Sequence, residues 1–280
     1  MDGRTILVLG AGGNVGRPLV RALRSRGETV RAASRSGAAV EGAEGVAFDI
    51  TQPQGLTPAL EGVSHAYLML PAGHVQARDL LLPVVQALAG RGIKTVFQSV
   101  FGVDADDAIP YRQVELALQR SGTAHVILRP NWFADNFHTY WQQGVARGLI
   151  AVPAGQGRSS FIDVRDIAAS AVAALTGERF DGQAFNLTGP EALDYGEAAQ
   201  VLARVLGRSV SYRAVDDADF VAELSAAGVA PDYAGFLASI FHPVREGWTA
   251  AITDHVQLLT GRPPRTLRIY AEDHAAELAA

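Results

Sequence analysis

Between the first apolar run and the first amphipathic stretch lies Gly10-Ala11-Gly12-Gly13-Asn14-Val15-Gly16, the segment with the clearest chemical meaning in the chain. The spacing that fits is G-x-x-G-x-x-G, with Gly10, Gly13 and Gly16, because G-x-G-x-x-G would need a glycine where Val15 stands. In such a turn the first glycine allows a tight bend and the second lets the main chain approach a pyrophosphate. The third permits close packing of helix on strand. Amides at the helix start, from Gly12, Asn14 and Val15 onward, then face an anion together with the positive end of the helix dipole. A glycine-rich turn that binds nothing would carry the same residues. The strand before it and the helix after it favour the dinucleotide reading.

The end of the second apolar run, Val30-Arg31-Ala32-Ala33-Ser34-Arg35-Ser36, decides which dinucleotide is preferred. A site selective for NAD places a carboxylate there for the ribose 2′-hydroxyl. Here Arg35 stands with two hydroxyls, Ser34 and Ser36. A charge-assisted bond from Arg35 to a 2′-phosphate contributes about 1.5–3 kcal/mol, roughly a ten- to hundred-fold preference. NADPH is therefore the expected cofactor, with NADH bound more weakly; the bland alternative is a solvated surface arginine. Asp49, after the third run, suits an acceptor for the adenine amino group and equally a cap for the following turn.

The elements that must position these residues follow a regular rhythm. Strands are predicted at Thr5–Leu9, Thr29–Ser34, Gly45–Phe48, His65–Leu70, Ile93–Ser99 and Ala124–Leu128. Helices are predicted at Val15–Arg26, Leu56–Leu60 (approached by Pro53 and Pro58), Val75–Ala89 and Tyr111–Ser121, with Trp132–Arg147 mostly helical. Strands alternating with helices specify an α/β fold, a doubly wound parallel sheet of Rossmann type. After Gly148 the rhythm changes: short strands at Leu149–Val152, Ser160–Ile162 and Gln183–Leu187 surround a helix at Asp166–Leu175. From Gly189 the chain reads as helical at Tyr195–Leu206, Asp216–Ala227, Tyr233–Phe241, Thr253–Thr260 and Thr266–Ala276, interrupted by a strand at Ser209–Arg213. The expected organisation is a dinucleotide-binding domain over residues 1–152, to which 160–188 returns. A smaller, mostly helical domain over 189–280 would cap the substrate.

Composition narrows the classes. The 280 residues carry 24 basic and 29 acidic side chains, so no basic surplus points to nucleic acid. The absence of cysteine excludes disulfides, thiolate metal sites and cysteine nucleophiles. The first apolar run is too short for a signal peptide or a membrane span, so a cytoplasmic protein without a membrane partner is expected. No H-E-x-x-H occurs and no metal is expected. Ser99 lies in Gln98-Ser99-Val100-Phe101-Gly102, which lacks the first glycine of a nucleophile elbow.

Four motifs together resemble the NmrA-like family, atypical members of the short-chain dehydrogenase/reductases. They are the glycine turn, Ile127–Asn136 (ILRPNWFADN), Phe161–Ala168 (FIDVRDIA) and Thr260–Thr266 (TGRPPRT). The resemblance spans nearly the whole chain and implies an NAD(P)-binding domain, a smaller C-terminal domain and a cleft between them. It further implies that Leu70-Pro71-Ala72-Gly73 lie along the cofactor's ribose and pyrophosphate. Ser99 and Val100 would approach the nicotinamide ribose, and Pro130, Asn131, Trp132 and Phe133 would border the nicotinamide. Trp132 and Phe133 serve equally as packing between domains; Asp163 and Asp166 read as a helix cap and first-turn charge.

Many members of that superfamily carry Tyr-x-x-x-Lys as a proton-donating pair. Here Tyr111 is followed four residues later by Glu115; by helix position Tyr111 takes the place of the lysine and Asp107 that of the tyrosine. A tyrosine with a pKa near 10 and no cation beside it is a poor acid at neutral pH. The chemistry left is hydride delivery to a conjugated small aromatic acceptor, a quinone or an azo compound, whose delocalised anion takes its proton from water. No catalytic residue is assigned; His74, Tyr111 and His138 are the candidate proton donors. His65 and His125, at strand starts, read as structural, and Leu81, Leu82, Val85 and Leu88 as core. The competing reading is a dinucleotide-binding redox sensor that regulates a protein partner. Phe220, Tyr233, Phe236, Phe241 and Trp248 would suit a flat aromatic ligand or core packing equally.

Overall fold

A computed structural model describes residues 4–52 and 55–280, so Pro53 lies outside the described residues. In chain order the elements begin with β1 (Thr5–Leu9), α1 (Gly16–Ser25), β2 (Thr29–Ser34), β3 (Glu44–Ala47), α2 (Leu56–Ala59) and β4 (His65–Leu68). They continue through α3 (Ala77–Ala89), β5 (Lys94–Gln98), α4 (Pro110–Arg120), β6 (His125–Pro130), α5 (Gln142–Ala146), β7 (Leu149–Val152) and β8 (Arg158–Ser159). Then come α6 (Val164–Thr176), β9 (Ala184–Leu187), β10 (Leu193–Asp194), α7 (Tyr195–Leu206), β11 (Ser211–Ala214), α8 (Asp217–Ala226) and α9 (Pro231–Ser239). The last are α10 (His242–Arg245), α11 (His255–Thr260), α12 (Leu267–Asp273) and α13 (Ala275–Ala279).

The chain forms two compact units. The first holds the chain up to Pro130 together with Val164–Leu187 and His255–Arg262. Its seven-stranded sheet has the order β3-β2-β1-β4-β5-β6-β9, and every neighbouring pair is parallel. Strand order reverses beside β1, the place where open parallel sheets take ligands at their carboxyl ends. Parallel strands covered on both faces must be apolar throughout, and β1 (Thr-Ile-Leu-Val-Leu) is buried from Ile6 onward. One face packs Leu7, Leu68, Phe97 and Ile127 against Leu81, Val85 and Leu88 of α3 and Val114 and Leu118 of α4. The apolar stripe of α3 is thus core.

The second unit gathers Asn131–Asp163, Thr188–Asp254 and Pro263–Ala280. Residues 131–152, expected with the dinucleotide-binding part, pack here, and residues 255–262 of the tail pack with the sheet. The physical reason for the first shift is an aromatic core that draws 131–152 in, with Phe137, Phe161, Tyr195, Phe241 and Tyr270 all buried in it; α11 packs instead on α6 and β9 of the first unit. The segment 132–147 is mostly irregular, with a 3-10 turn at Ala134–Phe137 before the short α5. Phe133 instead bridges to Ile162 and the Ala134 amide donates to the Ile162 carbonyl at 2.8 Å. The strand expected at Ser160–Ile162 does not form: Ile162 makes only the isolated bridge to Phe133, and the strand here is β8, just before it, which pairs antiparallel with β10, a two-residue strand the local pattern did not announce. The strand expected at Ser209–Arg213 is β11, parallel to β7. The terminal helix breaks at His274 into α12 and α13. Among the described residues no helix is long and apolar enough to cross a membrane.

Candidate functional site

The glycine turn leaves β1 through Gly10, whose φ of +66° is open to glycine at little cost. A Cβ there would meet the Met69 sulfur at 2.7 Å, and the Gly13 amide closes the bend on the Gly10 carbonyl at 2.9 Å. At Gly16 a Cβ would run into the Gly10 carbonyl oxygen, so the third glycine sets how closely α1 approaches β1. A Cβ on Gly13 would lie 3.2 Å from that same carbonyl, whereas Gly12 has nothing within 4 Å. Gly12 therefore presents the most open main chain of the turn, a role the spacing had suggested for Gly13. The amides of Gly12, Asn14 and Val15 donate to no main-chain carbonyl among the described residues. α1 opens with no side-chain cap and no acidic residue in its first turn. Bare amides plus an uncapped, uncompensated helix start form an anion cradle.

Beside it, Ser34-Arg35-Ser36-Gly37 closes a turn in which the Gly37 amide donates to the Ser34 carbonyl at 3.2 Å. Arg35 projects from this turn, exposed, with no hydrogen bond or ion pair among the described residues. Ser34 and Ser36 hydroxyls lie 3.4 Å apart. Asp49 Oδ1 accepts from the Thr51 amide at 2.9 Å and the Thr51 hydroxyl at 2.7 Å, so the turn-capping role is realised. Those bonds hold its carboxyl below the usual carboxylate range, and the positive fields of Arg35 and His74 add to the effect. Arg35, Asp49 and the half-buried His74 are thus electrostatic neighbours.

Across the sheet's carboxyl edge, Leu70 and Pro71 are half-buried and Ala72 is exposed. The Ser99 amide donates to Leu128 O at 2.7 Å, and the Phe101 amide to Pro130 O at 3.1 Å. Val100 between them is 41% exposed, while Ser99 is 2% exposed and its hydroxyl has no hydrogen-bond partner. A buried hydroxyl without a partner is costly unless something supplies one. An orphaned hydroxyl, a row of bare amides and an unpaired guanidinium form a donor set that fits a phosphorylated dinucleotide.

Tyr111 lies on α4 with its ring stacked on Phe97, centroids 6.3 Å apart, and it packs on the sheet core. Around it runs an ion-pair network that joins Arg129 of the Ile127–Asn136 motif to Glu115 and Asp104, pairings that no spacing in the sequence announces. Arg129 binds Glu115 through both Nε (2.8 Å) and Nη2 (2.7 Å) and reaches Asp104 with Nη1. Arg112 bonds the same Glu115 carboxylate at 3.0 Å and Asp107 at 2.9 Å. Glu115 is 0% exposed. The only hints in the sequence are a glutamate on the apolar face of α4 and an arginine ending an apolar strand.

The remaining candidates sit in the second unit. Asn131 is saturated there: its Nδ2 donates to Ser160 Oγ at 2.7 Å and Thr249 O at 2.8 Å, and its Oδ1 accepts from the Trp132 amide. Both hydrogens of its side-chain amide are thus taken, so the side chain has no donor left for a ligand. Trp132 packs on Phe241, 4.7 Å between centroids, and on Trp141 at 5.9 Å; Phe133 is half-buried in the bridge to Ile162. His138 accepts or donates at the Tyr270 hydroxyl through Nδ1 and stacks on His274 at 4.8 Å. Burial and the charge of His274 lower its pKa. This stacked cluster makes His138 a packing group of the second unit, with Tyr270 and His274 as partners that no motif in the sequence marks.

The sequence pattern of the NmrA-like family matches residues 2–244. The chain is 33% identical over 278 residues to the uncharacterized oxidoreductase YesF of Bacillus subtilis (strain 168), covering 99% of this chain and 97% of that one. It is 31% identical to the NAD(P)H azoreductase of Xenophilus azovorans, with coverage of 98% and 99%. Its fold matches an NADPH-dependent quinone oxidoreductase of Escherichia coli solved with NADPH (TM-score 0.83, 23% identity, 97% and 99% covered).

Proposed function

The chain belongs to the NmrA-like family, and from that footing we propose that it is an NADPH-dependent reductase of conjugated small molecules, quinones or azo compounds. The observation that carries the reading is the uncapped glycine turn with unpaired Arg35 beside it. Related chains named as an NAD(P)H azoreductase and an NADPH-dependent quinone oxidoreductase support the acceptor class.

The cofactor, once bound, supplies a hydride from its reduced nicotinamide. The chain's own contributions are positional. Gly12, Asn14 and Val15 amides hold the pyrophosphate, and Arg35 pairs with the 2′-phosphate. Ser99 Oγ donates to the nicotinamide ribose. No side chain forms a Tyr/Lys donor pair: four residues after Tyr111 stands Glu115, bound to two arginines. The reaction therefore needs an acceptor that delocalises the electron pair it receives and takes its proton from water. His74, an electrostatic neighbour of Asp49 and Arg35, and His138, in its stack with His274, are spared a proton-transfer role in this scheme.

Turnover of NADPH with menadione and with an azo dye, followed by loss of the reduced-nicotinamide absorbance, tests the proposal. Oxidation that depends on acceptor is the expected result. Tight NADPH binding with no oxidation across a broad panel of quinones and azo dyes would overturn it in favour of a sensor acting on a protein partner.

A further inference from the structure

The Arg129–Glu115 pair raises a question of purpose. A buried ion pair is seldom a net source of stability, because desolvation offsets most of the Coulomb gain; apolar residues of similar volume often do as well. What such a pair does supply is direction. A bidentate guanidinium–carboxylate contact fixes both groups in one plane. Here Glu115 takes two bonds from Arg129 and a third from Arg112, leaving the Nη1 edge of Arg129 turned to Asp104.

Asp104 sits in the 3-10 turn Val103–Ala105 that ends the loop leaving β5. That loop starts with the orphaned Ser99 and the exposed Val100, bends at Gly102 (φ +80°) and is tied to β6 by the Ser99–Leu128 and Phe101–Pro130 main-chain bonds. Arg129 lies between those two anchor points on β6. It therefore joins three parts: the end of β6, the body of α4 and the far end of the Ser99–Ala105 loop.

We propose that Arg129 and Glu115 are positioning residues that hold Ser99 and Val100 in place for the nicotinamide half of a bound dinucleotide, without touching it. The inference rests on the dinucleotide reading above. Its mechanical part, the clamp on the loop, stands apart from any ligand. Glu115→Gln weakens the clamp, and a double change, Glu115→Leu with Arg129→Met, removes the charges while filling the space. Because the double change leaves no buried charge unpaired, it tests position separately from stability.

Two measurements on the full chain decide the matter. In protein without nucleotide, amide exchange at Phe101 should quicken by about tenfold or more in either variant, while β1 and α1 keep their protection. In titrations, NADPH should weaken by about tenfold while adenosine 2′,5′-bisphosphate, which lacks the nicotinamide half, stays within about twofold of the parent. A folded double variant with parental protection at Phe101 and a parental NADPH-to-bisphosphate ratio would overturn the proposal. So would equal losses for both ligands, which would mark a general structural role. If the parent took up neither nucleotide, the dinucleotide reading would fall, and the assignment to the nicotinamide half with it. The exchange at Phe101 would still settle whether the clamp exists.

Discussion

The turn at Gly10–Gly16 and the loop at Ser99–Ala105 both follow strands of one parallel sheet, yet they are made in opposite ways. The first uses main chain alone: three glycines let strand and helix approach closely and leave amides bare, with no side-chain cap and no acidic residue in the first turn of the helix. The second is held by side chains, with a buried carboxylate shared between two arginines and an aspartate at the far end. A cradle built from amides needs only the right backbone conformation, so it can face solvent and remain ready for an anion. The Ser99–Ala105 loop has no such intrinsic geometry, and in the proposal above the network behind it supplies the constraint on Ser99 and Val100. Main-chain geometry thus shapes one segment and side-chain pairing ties down the other in the same sheet.

The contrast is sharpest if the buried side is broken first. Glu115→Ala leaves Arg129 buried opposite an empty space, and urea unfolding should show a loss of about 3–5 kcal/mol. On the open side, Arg35→Ala should leave stability unchanged, since Arg35 supports nothing in the fold. NADPH affinity should fall by roughly ten- to hundred-fold with NADH affinity unaltered, which isothermal titration would show. Ser99→Ala separates the two regions again: deleting an unpartnered buried hydroxyl should leave the free protein as stable or up to about 1 kcal/mol more stable. NADPH should bind a few-fold more weakly, readable in thermal shifts with and without the nucleotide.

The smallest expected effect lies away from both regions, at His138. Burial and the neighbouring His274 lower its pKa in the folded protein. The unfolded chain then takes up a proton more readily, so this contribution to stability is complete above about pH 6.5 and declines as the pH drops through that value toward the folded pKa. The melting temperature should fall between neutral pH and about pH 5.5, and less so in His138→Gln. His65, also lowered by burial and by Lys94 and Arg4, adds a background of the same sign that the variant leaves intact. An identical pH dependence in parent and variant would show that the imidazole stack carries no such load.

Legibility in the sequence followed the range of the interactions. β1, β2, β7 and α7 lie on the residues their patterns indicated, and most other elements within a few residues, because period and glycine or proline punctuation act locally. The glycine turn and Arg35 were readable for the same reason. Trp132–Arg147 was misjudged because its aromatics answer to Phe161, Tyr195 and Phe241, contacts that a local helical period does not register. β10 was missed since two residues have no period at all. The strand that ends at Leu68 rather than Leu70 releases Met69, whose sulfur closes over Gly10.

What the order of residues determined alone was the βα rhythm, the glycine turn between β1 and α1, the arginine and hydroxyls that follow β2 and the glutamate four places after Tyr111, since each depends on neighbours close along the chain. What only the folded chain decided was the membership of residues 131–163 in the second unit, the saturation of Asn131, the stack of His138 on His274 and the meeting of Glu115 with Arg129. These contacts join groups from 14 to more than 100 positions apart. Their partners are selected by packing and by the need to pair buried charge, and such demands exist only once the core has closed.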